Sequence, residues 1–83
     1  MYICSVCGYD QLESKQYYDD GNPTYIVCNC CGFESGFDDF DQGLTIEEYR
    51  EKWIKDGCIW LIEYLKPANW IMEEQMKNIQ KID

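Results

Sequence analysis

The feature that most constrains this chain is a repeated C-x-x-C-G motif, with twenty residues between Cys7 and Cys28. Each copy has two cysteines followed by a glycine: Cys4, Cys7 and Gly8 in the first, Cys28, Cys31 and Gly32 in the second. Such a turn directs two thiolates at one point, and the glycine adopts the positive φ that turns backbone amides toward the sulfurs. Two facing turns make a tetrahedral four-sulfur site, which is typical of structural zinc or an iron–thiolate centre. The sequence therefore predicts a metal site formed by Cys4, Cys7, Cys28 and Cys31.

A metal site suits a chain of only 83 residues. A domain of this size buries only about 60% of its unfolded surface, so an apolar core alone is marginal. Structural zinc can add on the order of 10 kcal/mol to the folding free energy of a small domain. We therefore expect one domain over residues 1–83, with zinc as its cofactor and iron as the alternative.

Charge restricts the class of partner. The net charge is −9, from 7 basic and 16 acidic residues. Nucleic-acid binding needs a basic face for the phosphates, whereas the basic residues here are few and scattered. The composition therefore favours a basic protein partner, or simply a well-hydrated surface, and predicts no nucleic-acid partner.

The compartment follows from what surrounds the cysteines. There is no apolar run of about 18 residues, so no membrane span is expected, and no secretory leader precedes Cys4. Six cysteines in a short secreted chain would indicate disulfides, but without a leader the paired spacing favours metal. We expect a cytoplasmic protein.

The first half, residues 1–43, reads as a zinc ribbon. Short strands are predicted to enter and leave each knuckle, including the β-branched and aromatic stretch 24–27 before the second one. A dense turn signal spans residues 19–23. The acidic stretch 38–43 fails the spacing of a calcium loop and is predicted to be a solvated linker.

The second half, residues 44–83, reads as two helices. Thr45 and Glu48 form a capping box at the start of the first. Its apolar face continues in phase across Gly57, which favours one helix to about Leu65, although Gly57 is also a suitable C-cap. Asn69 is the predicted N-cap of a second helix. The fold class is thus α+β: a small zinc ribbon on short antiparallel strands, followed by two C-terminal helices whose aromatic face packs on the metal-binding half.

Catalytic residues are not predicted. The chain has no histidine, which removes the commonest general base, and a four-sulfur site has no open position for substrate. Cys30 has two interpretations, a small buried residue or a redox-active thiol beside the metal. Cys58 lies among apolar neighbours and is expected to be buried.

Two resemblances add to these inferences. The first motif, from Tyr2 to Tyr9, resembles the first knuckle of rubredoxins, which implies an iron electron carrier. The gap between the cysteine pairs is shorter than in rubredoxins, and the helical half has no counterpart there.

The whole chain, over roughly residues 2–79, resembles small uncharacterised bacterial cysteine-rich proteins of the C-P-C-C type. The likeness rests on both knuckles and on the stretches 22–28, 32–39 and 49–54, with Asn29 where that family has proline. It implies a zinc ribbon, and some such proteins lie in toxin-immunity loci. The expected function is therefore a non-enzymatic, zinc-stabilised interaction or immunity-type module for a basic protein, with a rubredoxin-like iron–thiolate electron carrier as the alternative.

Overall fold

The computed structural model describes residues 1–80. Its regular elements all lie after residue 36. In chain order they are a π-helical turn Phe37–Asp41, α1 Ile46–Lys55, a 3₁₀ turn Glu63–Leu65 and α2 Met72–Gln80. Before Phe37, the described chain consists of turns and loops around the cysteines. None of the helices within residues 1–80 is long and apolar enough to cross a membrane.

The expected α+β ribbon on antiparallel strands is wrong, because residues 1–80 contain no β-strand and no sheet. Isolated antiparallel bridges join Tyr2 to Leu12 across the first knuckle and Val27 to Glu34 across the second. The predicted strand 24–27 is interrupted by Tyr25, whose φ of 62° is left-handed and incompatible with extended backbone. The pairing of Val27 with Glu34 extends backwards only as a long bond of 3.4 Å from the Ser35 N–H to the Ile26 carbonyl, and Pro23 pairs with Tyr17 instead.

Helix α1 starts where its capping box predicts. The Thr45 hydroxyl accepts from the Glu48 N–H at 3.0 Å, and the Glu48 carboxylate accepts from the Thr45 N–H at 2.9 Å. These two bonds satisfy N–H groups that have no partner within the helix.

The predicted extension of this helix to Leu65 is wrong, since α1 ends at Lys55. The Cys58 N–H donates to the Trp53 carbonyl at 2.9 Å, and the Gly57 N–H donates to the Ile54 carbonyl at 3.1 Å. This is the Schellman pattern, with Gly57 at a φ of 105° in the position that favours glycine. The C-cap alternative for Gly57 was therefore the correct one.

The chain after Gly57 crosses the second knuckle instead of continuing a helix. The N–H groups of Leu61 and Ile62 donate to the carbonyls of Cys30 and Asn29 at 2.9 and 3.0 Å. The Trp53 indole N–H donates to the Ile59 carbonyl at 2.9 Å, which fixes this crossing segment to α1. A turn closed by the hydrogen bond from the Trp70 N–H to the Pro67 carbonyl at 3.2 Å then leads into α2, which begins at Met72, two residues later than an N-cap at Asn69 predicts.

Aromatic side chains of the second half form much of the core around the cysteines. Trp60 contacts Tyr9 edge to face, with ring centroids 5.6 Å apart, and contacts Trp70 at 5.5 Å. Tyr49 packs in the same way on the buried Phe33 at 5.1 Å. Edge-to-face pairs of this kind contribute about 0.5–1.5 kcal/mol beyond the area they bury. The predicted aromatic face does contact the cysteine half, although Trp60 reaches it from an irregular segment.

The acidic stretch 38–43, predicted to be a solvated linker, is exposed over residues 40–43 but begins in a hydrogen-bonded turn. Asp38 accepts from the Glu34 N–H at 2.8 Å, and Asp39 accepts from the Gly36 N–H at 2.7 Å and from the Tyr17 hydroxyl. Partial burial raises the pKa of Asp39, but the hydrogen bonds from the Tyr17 hydroxyl and the Gly36 N–H outweigh it, so that this pKa is lowered overall. These carboxylates close the π-helical turn.

Candidate metal centre

The four predicted ligands come together at one buried point. The sulfurs of Cys4, Cys7, Cys28 and Cys31 all lie within 4.8 Å of one another. The Sγ atoms of Cys4 and Cys31 are 3.8 Å apart, and those of Cys7 and Cys28 are 3.7 Å apart. A tetrahedron with zinc–sulfur bonds of about 2.3 Å has edges of about 3.8 Å. The cluster therefore has the dimensions of a four-thiolate metal site, and all six cysteines are free of disulfides.

The two knuckles share one backbone hydrogen-bond pattern. In each, the first cysteine accepts from the glycine N–H at 2.9 Å: Cys4 from Gly8, and Cys28 from Gly32. Both glycines have positive φ, 84° and 80°. The first cysteine also donates its N–H to the carbonyl of the aromatic residue after the glycine, at 2.8 Å in one knuckle and 3.0 Å in the other. The C-x-x-C-G spacing predicted the turns, and the backbone carbonyl that closes each one belongs to the residue directly after the glycine.

Gln16 is a buried contact of the cluster that sequence reasoning missed. Its side-chain amide donates to the Cys4 sulfur at 3.3 Å and accepts from the Ser5 N–H at 2.9 Å. An N–H···S bond of this kind stabilises the thiolate and orients it, as second-shell partners of metal ligands do. Gln16 lies in a polar stretch with no pattern to mark it, so no local signal identified it.

The electrostatics of the sulfurs fit a cation. Hydrogen bonds from Cys28, Cys31 and Cys7 lower the pKa of Cys4. The pKa values of Cys7 and Cys31 are raised, in both cases first by the hydrogen bond with Cys28. Four thiolates cannot ionise together at this separation because their charges repel. A divalent cation would compensate these charges, so the donor set fits a metal ion.

Cys30 is a fifth buried sulfur beside the cluster. Its Sγ accepts from the Gln75 amide at 3.4 Å, and the same amide donates to the Cys7 carbonyl at 3.0 Å. Cys30 is not one of the four mutually adjacent sulfurs, and it has no exposed surface. Cys30 is therefore a buried thiol outside the set of four clustered cysteines. Cys58 is only partly buried, and burial raises the pKa of its thiol.

Side chains of the second half cover the knuckle carbonyls. Arg50 donates from Nε to the Val6 carbonyl at 2.6 Å and from Nη2 to the Ser5 carbonyl at 2.7 Å. The Asn78 amide donates to the Gly8 carbonyl at 2.9 Å. The Tyr49 hydroxyl donates to the Cys31 carbonyl at 3.2 Å. None of these roles was predicted, since the partners are 18 to 70 residues apart along the chain.

The fold and the site together define a small cysteine-rich protein with a buried four-cysteine cluster suited to metal. Comparison with known proteins shows a similarity to the protein named "Uncharacterized protein YoaQ" of Bacillus subtilis (strain 168), which is 28% identical over 102 aligned positions. The alignment covers 99% of this chain and 86% of that relative. No protein-family model and no solved structure matches this chain.

Proposed function

We propose that this protein binds one zinc ion through Cys4, Cys7, Cys28 and Cys31, and that the ion stabilises the fold without taking part in a reaction. The observation that carries the proposal is the buried cluster of four sulfurs within 4.8 Å of one another. Closed sets of four thiolates are typical of structural zinc, whereas catalytic zinc keeps a position open for water. The absence of histidine from the sequence further supports a non-enzymatic role.

The weak local structure around the cysteines explains why the fold would need the ion. Within residues 1–36, the backbone pairing consists of isolated bridges and turns, which contribute little stability alone. A metal joining the two knuckles would close the loop between Cys7 and Cys28. We expect metal binding and folding of this half to be coupled, as in other small zinc domains.

Single cysteine substitutions test the ligand assignment. Alanine at each of the four cluster positions should abolish bound zinc, measured by elemental analysis of the purified protein, and reduce the ordered circular dichroism signal. Cys30→Ala and Cys58→Ala are matched controls that should keep one zinc per chain. Full zinc in Cys31→Ala together with lost zinc in Cys30→Ala would overturn the assignment.

An iron–thiolate electron carrier is the second candidate. The observation that favours it is the hydrogen bond from the Gln16 amide to the Cys4 sulfur at 3.3 Å, because hydrogen bonds to the sulfurs tune the reduction potential of an iron site. Ferric iron in four thiolates gives a red protein, and zinc gives a colourless one. Stoichiometric iron with visible absorption in the protein purified without added metal would favour this candidate over zinc.

We further propose that the protein acts by binding a basic protein, as an interaction or immunity-type module. Residues 1–43 carry eight acidic side chains against one basic residue, Lys15. A cleft of about 430 Å³ includes Tyr9, Trp60 and Leu65 in its lining, together with the exposed carboxylates of Asp10 and Glu13. An arginine or lysine next to an apolar residue would complement this surface. The same charge disfavours nucleic acid.

Neutralisation of the cleft tests the partner class. The variant Asp10→Asn with Glu13→Gln should lose proteins that the wild type retains from a lysate of the source organism. The control Asp19→Asn with Asp20→Asn removes two exposed charges from another loop and should retain them. Retained proteins that are acidic, or that bind both variants equally, would contradict the proposal.

A further inference from the structure

A cavity of about 220 Å³ lies beside the second knuckle. Its lining includes Cys31, Tyr49, Trp53 and Ile59, together with the exposed Lys52 and Asp56. At about 30 Å³ per water molecule in the liquid, this volume accommodates about seven waters or a small organic reagent.

Cys31 is the least covered of the four cluster cysteines. As whole residues, Cys4, Cys7 and Cys28 have no exposed surface, whereas Cys31 is 6% exposed and is the one of the four that lines this cavity. A reagent that attacks a sulfur must first touch it, and reactivity of cysteine follows access as well as thiolate character. Attack on the other three would require the surrounding structure to open.

Two hydrogen bonds hold the walls of this cavity. The Tyr49 hydroxyl donates to the Cys31 carbonyl at 3.2 Å, which fixes the tyrosine against the knuckle. The Trp53 indole donates to the Ile59 carbonyl at 2.9 Å, which fixes the crossing segment against α1. The cavity is thus bounded by side chains that hydrogen bonds hold in place, and it is present in the folded protein without any opening of the structure.

We propose that Cys31 is the entry point of the cluster: small thiol-directed electrophiles reach it through this cavity and modify it before the other three cysteines. This inference rests on the proposed metal-binding function and adds the route by which the site is opened. Loss of one thiolate would leave three at the centre, and the ion would then be released. A protein with such an entry point responds to small electrophiles without first unfolding.

Methyl methanethiosulfonate is a suitable small probe. The Cys31 thiolate attacks the sulfenyl sulfur of the reagent, and a new S–S bond forms. The S–SO₂ bond breaks, and methanesulfinate leaves with the electron pair. The product is a methyl disulfide on Cys31, which is no longer an anionic ligand.

The experiment uses the zinc-loaded full chain carrying Cys58→Ser, which removes the partly exposed thiol outside the cluster. Zinc content is measured first, and its absence would refute the proposed function. The protein is then treated with less than one equivalent of reagent, and modified peptides are mapped by mass spectrometry while a chromophoric chelator reports released zinc. Cys31 should be modified first, in step with zinc release. Earlier modification of Cys4, Cys7 or Cys28, or of all four together, would overturn the entry-point proposal and leave zinc binding intact.

The width of the cavity provides a second test. Ile59→Ala removes part of the cavity wall but keeps the backbone carbonyl that Trp53 binds, so Cys31 should react several-fold faster. Ile71→Ala is the matched control, because Ile71 is similarly exposed and does not line the cavity. Equal rates in the two variants would show that reagents do not enter by this route.

Discussion

Replacing Gly8 by alanine tests how the last helix is attached to the first knuckle. A Cβ atom at Gly8 would overlap the carbonyl oxygen of Gln75 and lie 3.0 Å from its carbonyl carbon and 3.3 Å from the Met76 Cα. These are backbone atoms of α2, so no side-chain rotation relieves the clash. Helix α2 must therefore move away from the knuckle.

Gly32 is the matched control in the second knuckle. Its φ of 80° equals that of Gly8, 84°, within a few degrees, so alanine costs about 1–2 kcal/mol of backbone strain at either position. A Cβ at Gly32 would meet nothing closer than the Tyr49 hydroxyl at 3.6 Å, which is an ordinary contact. The difference between the two variants therefore isolates the docking of α2.

The magnitude follows from the contacts that α2 makes at the knuckle. Displacement of the helix breaks the hydrogen bonds from Gln75 to the Cys7 carbonyl and from Asn78 to the Gly8 carbonyl, each worth about 1 kcal/mol. The free energy of unfolding of Gly8→Ala should therefore be about 2 kcal/mol lower than that of Gly32→Ala. In a domain of this size 1 kcal/mol corresponds to about 4–8 °C, so its Tm should be about 8–16 °C lower.

Both variants are compared with the wild type by urea unfolding and thermal melting, each loaded with zinc to one equivalent. Equal losses of unfolding free energy in the two variants, within about 0.5 kcal/mol, would refute the reasoning. In that case α2 would not be packed on Gly8 in solution.

Further predictions concern the second half and the acidic turn. Trp53→Ala should cost about 3–5 kcal/mol, and circular dichroism and zinc release should follow one transition; two separate transitions would show that the helical half folds alone. Arg50→Met should cost about 2–3 kcal/mol through two lost charge-assisted bonds, whereas Lys52→Met, on the exposed face, should be near neutral by urea unfolding. The pKa of Tyr17 is raised above its ordinary value, mainly by burial and also by the hydrogen bond to Asp39. The folded state therefore favours the neutral phenol, and this contribution, present below about pH 10, is lost as pH rises further; Tyr17→Phe should lack this part of the alkaline loss, and an identical pH dependence would contradict the assignment.

Sequence reasoning succeeded where the determinant is local. The cysteine spacing and the glycines at positions 8 and 32 define each knuckle within a few residues, and the clustering of the four sulfurs agrees with that prediction. The start of α1 is also local, because the capping bonds join Thr45 only to Glu48.

Sequence reasoning failed where local preference and tertiary structure disagree. Residues 24–27 have strand composition, but Tyr25 adopts a left-handed conformation, so propensity alone gave the wrong result. The apolar period continues across Gly57, yet the helix ends before it. Trp60 is buried as the period predicts, but an irregular segment and not a helix brings it to the core. Periodicity therefore identified the buried side chain, but it did not predict the backbone conformation of the segment to which that side chain belongs.

The long-range hydrogen bonds explain why the two halves are expected to behave as one domain. In each knuckle, a run of consecutive backbone carbonyls accepts hydrogen bonds from donors beyond residue 48. The first knuckle contributes four such carbonyls and the second contributes three: Ser5, Val6, Cys7 and Gly8, then Asn29, Cys30 and Cys31. Within each turn the glycine N–H satisfies the carbonyl of the first cysteine, whereas the carbonyls that follow that cysteine accept from donors outside the turn. Buried carbonyls without partners would be costly, so a chain with two such turns in its core needs a second layer of donors. The helical half supplies these donors, and we therefore expect zinc removal to release α1 and α2 as well as the knuckles.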